Sequence, residues 1–302
     1  MKLFLKYILV FGIIFFTLEK GLYYFIHNAP NKEYDKRLQL ILDGEMEKDL
    51  VIIGSSRGAN NISAKQLEDQ TGLSTYNLSY RGSNVTFHEF ILEALLLHNK
   101  KPKKVLLVID NGHQFLIENS LKFRYDRLSP LKNYSWINDK LIKSNKKSYI
   151  SKFLYSLKID RKDFSLKPKI VYPINIMTSH GSKLLKARST DTLAFFKKPK
   201  GYDITKENPD YLKSFKSMQK TCKTHNIDLY FVFTPAYQEF DTDFLKRFKK
   251  LINTEEHLIV YDTICDDYKN NLFFRDHTHM FSIGAEIFTS EISVFFNSKT
   301  KK

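Results

Sequence analysis

Short, mostly apolar runs alternate with longer stretches of helical periodicity over much of the chain. Five runs have the length and composition of strands buried on both faces, at 50–53, 74–78, 104–109, 228–234 and 257–261. Apolar residues recur with helical spacing at 85–98, 209–225, 241–253 and 282–296. This alternation predicts a doubly wound α/β fold, in which five parallel strands are joined by right-handed crossovers.

The regular pattern stops after the third predicted strand. Residues 113–204 mix lysines with aromatic residues, such as Tyr125, Trp136, Lys146 and Lys147, without a clear period. Long excursions of this kind usually form lids, binding loops or helical subdomains. We therefore expect a largely helical insertion. Because it leaves the sheet at the carboxyl edge, we expect it to form part of a substrate rim, with sugar-stacking rings and cations for an acidic polymer. The alternative is a separately packed helical cap.

The first 26 residues are typical of a membrane signal. Lys2 and Lys6 precede an uncharged run at 7–18, and a second apolar piece follows. The segment from Leu3 reaches the roughly 20 residues that cross a bilayer if Lys6 extends to the headgroups. No small-residue cleavage site follows, so a retained anchor is favoured over a cleaved signal peptide or a buried core helix. The basic flank predicts a cytoplasmic N-terminus and an extracytoplasmic body.

These patterns divide the chain into predicted segments. They are a membrane anchor at 1–27, a connector at 28–48, the first part of the α/β domain at 49–112, the insertion at 113–204 and the second part of the domain at 205–302.

Composition narrows the class of protein further. Hydrophobic residues make up 42% and aromatic residues 14%, which excludes a disordered chain. The formal charge of +15 favours an anionic partner, although a solvated lysine surface explains it equally. The excess is scattered lysine, so a phospholipid or acidic-glycan surface is favoured over nucleic acid. Cys222 and Cys265 have no metal-finger spacing, and a single bridge between them is left open.

Two loops that follow predicted strands contain candidate reactive groups. Gly54-Ser55-Ser56-Arg57-Gly58 comes after the first strand, where a serine hydroxyl can face the crevice and helix N–H groups can stabilise an oxyanion. The alternative is a serine that only caps the next helix. Gly82 follows the second strand and can bring its amide close to a ligand, although loop glycines are more often turn formers.

A third candidate, Asp276-His277-Thr278-His279, lies just before the last predicted helix. An aspartate three residues before a histidine can orient the imidazole, as the aspartate of a catalytic triad does. Two alternatives are a metal site built on His277 and His279, for which no third ligand is near in sequence, and a purely structural pair. No cofactor or metal is predicted.

Together these segments resemble the SGNH/GDSL hydrolase family, over roughly residues 49–112 and 205–296. The resemblance implies a three-layer, flavodoxin-like arrangement of the sheet and helices. It also implies that Ser56 is the nucleophile, that Gly82 is the oxyanion glycine, and that Asp276 and His279 complete the triad. Ser55 stands where many members have aspartate. The third family motif, Gly-x-Asn-Asp, is replaced by Ile-Asp-Asn-Gly at 109–112, so Asn111 is the candidate oxyanion amide.

With its predicted anchor, the chain looks most like the cell-envelope branch that includes D-alanyl-teichoic-acid transfer and alginate O-acetylation proteins. The resemblance implies a single-pass, membrane-anchored serine esterase or O-acyltransferase whose catalytic domain is periplasmic or on the cell surface. Its substrate would be an acylated glycan or an acyl donor. A membrane-bound acyltransferase would be its partner, and no binding of nucleic acid is expected. The alternative is a non-catalytic binding or assembly protein for an anionic envelope polymer.

Overall fold

The computed structural model describes residues 1–186, 193–197 and 201–300. The strands are β1 (Leu50–Ile53), β2 (Thr75–Asn77), β3 (Lys104–Ile109), β4 (Asp228–Phe233) and β5 (Leu258–Val260). The first helices are α1 (Lys2–Lys32), α2 (Arg37–Leu42), α3 (Ser56–Asn61), α4 (Ala64–Thr71) and α5 (Val85–His98). The others are α6 (Tyr125–Leu128), α7 (Ser135–Lys143), α8 (Pro209–Thr224), α9 (Thr242–Lys249) and α10 (Ser282–Thr300).

The five strands form one sheet in the order β2-β1-β3-β4-β5, and all neighbouring strands are parallel. The predicted five-stranded parallel sheet is therefore confirmed. The register pairs Ile53 of β1 with Leu107 of β3. Because parallel strands end at the same edge, the loops after β1, β2 and β3 emerge side by side.

Helices cover both faces of the sheet, as a doubly wound fold requires. On one face, Ile52 belongs to an apolar cluster with Phe288 of α10. On the other face, the ring of Phe231 packs against Phe215 of α8 and Phe248 of α9, with centroids 5.5 and 5.4 Å apart. Each such side chain contributes about 1.5–3 kcal/mol when it is fully buried.

The chain divides into two compact units. Unit 1 comprises Met1–Leu40 and Arg124–Val171, and unit 2 comprises Ile41–Phe123 and Tyr172–Lys302. The sheet belongs to unit 2. The predicted insertion contributes to both units and, where described, contains the short helices α6 and α7 and several 3-10 turns. Within it, residues 187–192 and 198–200 lie outside the described residues.

Unit 1 is built around the second half of α1. The ring of Tyr23 packs edge-on against Tyr155, with centroids 5.1 Å apart, and the Glu19 carboxylate accepts a 2.7 Å hydrogen bond from the N–H of Tyr155. The first half, residues 3–18, is exposed on every face. Among the described helices, none has the combination of length and apolar composition that a membrane span requires.

Both cysteines are free thiols in the structure. Cys222 lies in α8 with 1% of its surface exposed. Burial raises the pKa of its thiol to about 12, so Cys222 is protonated and unreactive at neutral pH.

Candidate active site

The two adjacent serines after β1 have different partners. The Ser55 hydroxyl accepts a hydrogen bond from the N–H of Arg57 at 3.3 Å, so Ser55 caps α3. Ser56 is the first residue of α3, and its Oγ lies 2.7 Å from Nε2 of His279. Ser55 is therefore the serine that caps α3, and the Ser56 hydroxyl pairs with an imidazole instead.

The imidazole of His279 is held from its other side by Asp276. Nδ1 lies 2.8 Å from Oδ2 and 2.9 Å from Oδ1 of the carboxylate. Oδ1 also accepts hydrogen bonds from the N–H groups of Thr278 and His279, at 2.9 and 3.0 Å. Burial raises the pKa of Asp276, but hydrogen bonds from His279 and Thr278 outweigh it and hold the pKa well below its usual value. The structure therefore joins Ser56, His279 and an ionised Asp276 in one hydrogen-bonded chain.

Asn61, at the end of α3, fixes the segment that contains this aspartate and histidine. Its fully buried amide donates to the carbonyl of Thr278 at 3.0 Å and accepts from the N–H of Met280 at 2.9 Å. The helix that starts with Ser56 thus holds the backbone on both sides of His279. Sequence reasoning missed Asn61, because one asparagine in a helix gives no signal of a contact more than 200 residues away.

Gly82 lies in the same cavity as Ser56 and His279, in a loop with a left-handed backbone conformation of φ +70°. Two hydrogen bonds to the carbonyl of Gly54 join this loop to the one after β1. They come from the N–H of Tyr80 at 2.9 Å and the hydroxyl of Ser83 at 3.1 Å. The predicted nucleophile and the predicted oxyanion glycine are therefore brought together.

Asn111 does not join Ser56, His279 and Gly82 at the cavity. It is 5% exposed, has a positive φ of 50°, and does not line the cavity. The neighbouring Asp110 does line it, because it follows β3 directly. The Asp110 carboxylate accepts a hydrogen bond from the Ser55 hydroxyl and lies 3.8 Å from Nε of Arg57. Sequence reasoning missed this buried cluster of Asp110, Ser55 and Arg57.

The ionisation of Asp110 differs from that of Asp276. Burial raises the pKa of Asp110, and the opposing effects of Arg57 and the Ser55 hydroxyl do not cancel the increase. Ser55 stands where the resembled family often has aspartate. Here a carboxylate reaches the same loop from the end of β3 instead.

The cavity has a volume of about 440 Å³, which suits a small ester. Four residues at the start of the predicted insertion line it, namely His113, Glu118, Ser120 and Leu121. The Glu118 carboxylate lies 2.7 Å from Nδ1 of His113. The first residues of the insertion therefore line the cavity. The aromatic residues and lysines expected there, Tyr125, Trp136, Lys146 and Lys147, do not line it.

The two histidines of the metal alternative have separate partners. His277 Nε2 lies 3.1 Å from the carbonyl oxygen of Ala194, whereas His279 lies between Ser56 and Asp276. Across residues 1–186, 193–197 and 201–300, no group of three or more His, Cys, Asp or Glu side chains is arranged to hold a metal ion.

No protein-family model and no curated protein matches the chain. Among solved structures, it is similar to a protein of Desulfitobacterium hafniense DCB-2 described as lipolytic and of the G-D-S-L family. The identity is 10%, the TM-score 0.41, and the match covers 82% of this chain and 98% of that one.

A second similar structure is the acetyl xylan esterase Est2A of Butyrivibrio proteoclasticus, with 8% identity, a TM-score of 0.36 and coverage of 83% and 64%. A third is a protein of Bacteroides fragilis NCTC 9343 described as an acylhydrolase, with 11% identity, a TM-score of 0.30 and coverage of 88% and 95%. At identities of 8–11% and TM-scores of 0.41 or less, these similarities assign no activity to this chain.

Proposed function

We propose that the protein is a serine esterase or O-acyltransferase that acts on acyl groups of a cell-surface glycan. The observation that carries this proposal is the hydrogen-bonded chain from Ser56 Oγ through His279 to Asp276, with lengths of 2.7 and 2.8 Å. A serine, an imidazole and a carboxylate in this order form the constellation that activates a hydroxyl for acyl transfer.

In the proposed reaction, Ser56 Oγ attacks the acyl carbonyl while Nε2 of His279 takes the hydroxyl proton. Asp276 stabilises the resulting imidazolium, because its carboxylate stays ionised and faces Nδ1. The backbone N–H groups of Ser56 and Gly82 are the proposed donors to the oxyanion. Collapse of the tetrahedral intermediate breaks the ester C–O bond, and His279 returns the proton to the departing alcohol.

The second half of the cycle decides between hydrolase and transferase. His279 removes a proton from water or from a sugar hydroxyl, whose oxygen then attacks the acyl group on Ser56. The new bond forms as the bond to Ser56 Oγ breaks, and the serine recovers its proton from His279. Water gives a free acid, whereas a sugar hydroxyl gives an O-acylated glycan.

Labelling of the purified chain with a fluorophosphonate, followed by peptide mapping, tests the proposal. We expect the probe on Ser56 and not on Ser55, because Ser56 Oγ contacts Nε2 of the imidazole whereas the Ser55 hydroxyl pairs with Asp110 and the N–H of Arg57. Ser56→Ala should lower turnover of an aryl acetate by about 10⁴-fold or more, since members of a triad act as a unit. Full activity in that variant would refute Ser56 as the nucleophile. Absence of both labelling and turnover in the natural chain would leave the non-catalytic binding protein as the better description.

We also propose that the first half of α1 holds the protein at a membrane, with the catalytic unit outside the cytoplasm. Apolar side chains between Leu3 and Leu18 are exposed on every face of the helix, and lipid would bury them at about 25 cal/mol per Å². The full chain should therefore stay with membranes through a high-salt wash. A variant that lacks residues 1–18 should not, and release of the full chain by salt alone would count against the proposal.

A further inference from the structure

A second cavity, of about 720 Å³, lies entirely within unit 1. The end of α1, the region of α6 and α7, and the segment 160–169 form its wall. Its volume falls in the range of natural ligand sites, and it contains none of the candidate active-site residues.

Carboxylates in this wall are already neutralised by cations. Glu33 lies 3.6 Å from Arg127, and Asp126 lies 2.6 Å from Arg124. Asp160 is paired with Lys147 at 2.7 Å, and Asp163 is paired with the fully buried Lys132. None of these four acids is therefore left to repel an anionic ligand.

Three lysines of the wall are not neutralised in this way. Lys146, Lys162 and Lys167 are exposed, and no carboxylate among the described residues forms an ion pair with them. Nζ of Lys146 lies 5.2 Å from the centre of the Tyr125 ring, a cation–π contact that leaves its charge in place. The cavity therefore has a net positive surface, and the overall charge of +15 adds to the attraction of anions.

We propose that this cavity binds a segment of an acidic oligosaccharide, with carboxylates of the sugar facing Lys146, Lys162 and Lys167. The choice of a glycan rests on the proposed function. The lining supports it, because Pro130 and the ring of Tyr125 offer partly exposed apolar surface for sugar rings beside the cations. The active site would then modify a polymer that a separate site on the same chain holds.

Titration calorimetry with the full chain and a hexamer of galacturonate tests the proposal, with neutral maltohexaose as the control ligand. We expect the acidic hexamer to bind at physiological salt and the neutral one not to bind. The variant K146A/K162A/K167A should bind the hexamer at least about tenfold more weakly, which is the combined effect of three exposed charge contacts. The variant K216A/K220A/K223A on α8 removes the same charge from exposed sites outside the cavity, and should change affinity less than about twofold.

Equal weakening by the two triple variants would overturn the proposal, because it would mean non-specific attraction to a basic surface. Absence of binding by the unmodified chain, or tighter binding of a single-stranded oligonucleotide than of the hexamer, would overturn it too. Turnover of an aryl acetate, measured in the same samples, separates this proposal from the proposed function. Turnover of the ester without binding of the hexamer would refute the proposed oligosaccharide site but not the proposed enzyme. Binding of the hexamer without turnover would refute the enzyme but not the oligosaccharide site.

Discussion

The carboxylate of Asp276 lies 2.8 Å from Nδ1 of His279, only three residues further along the chain. This contact favours the tautomer in which Nδ1 carries the proton, so that the lone pair of Nε2 faces the Ser56 hydroxyl. One short turn before α10 thus determines which nitrogen of His279 can accept the proton from Ser56.

Asp276→Asn should therefore lower kcat/KM for an aryl acetate by about 10³–10⁴-fold, because the amide can hold the wrong tautomer and cannot stabilise the imidazolium. Asp266→Asn is a matched control, since the Asp266 side chain is 93% exposed and forms an ion pair with Lys269 on the surface. A loss of less than tenfold in the first variant, or an equal loss in both, would contradict the assigned role of Asp276.

The sequence predicted the sheet well because a strand buried on both faces must be apolar at consecutive positions, as β1 and β3 are. The weaker strands β2 and β5 were predicted too long by one residue at each end, because residues that flank a short strand look much like the strand itself. Asp276 and His279 could be paired from sequence since both belong to one turn.

Gly82→Ala should reduce both stability and turnover. A residue with a side chain at φ +70° costs about 1–2 kcal/mol in the free energy of unfolding, and a shift of the loop would displace the proposed oxyanion donor. Gly72→Ala separates the two effects, because Gly72 also has φ +70° but ends α4 in open space. Denaturation should show similar losses in both variants, and steady-state kinetics a lower kcat only in Gly82→Ala. Unchanged kcat in that variant would remove Gly82 from the proposed oxyanion site.

The contacts that sequence reasoning missed all join distant segments. Asp110 and Ser55 meet because β3 pairs with β1, and Asn61 reaches Thr278 because α3 packs beside the turn before α10. Such pairs have no periodicity and no fixed spacing. Asn111 was selected for its position after β3, but its neighbour Asp110 is the residue whose side chain lines the cavity.

Asp110→Ala should destabilise unit 2, because it removes the carboxylate that lies 3.8 Å from the buried Arg57 guanidinium. The two side chains are 4% and 5% exposed, and removal of one partner of a buried pair costs about 3–5 kcal/mol. Asp69→Ala is the control, since Asp69 pairs with Lys65 on the surface, where both side chains are 55% exposed and the cost is about 1 kcal/mol or less. Urea denaturation measures both, and equal midpoints would show that Asp110 does not stabilise the buried guanidinium.

The Asp160 carboxylate makes the stability of unit 1 depend on pH in acid. Burial raises the pKa of Asp160, but hydrogen bonds from Lys132 and Lys147 outweigh it and lower the pKa to about 2, from 3.8 in an unfolded chain. A pKa lowered by folding stabilises the folded state above the unfolded value, and this stabilisation is lost as the pH falls through about 2.

We therefore expect the difference in unfolding free energy between the natural chain and Asp160→Asn to be constant above about pH 5 and to shrink between about pH 4 and pH 2. Trp136 is the single tryptophan of the chain and lies in α7 of unit 1, so its fluorescence reports the unfolding of this unit. A difference that does not change with pH would mean that the Asp160 carboxylate is not held ionised by Lys132 and Lys147.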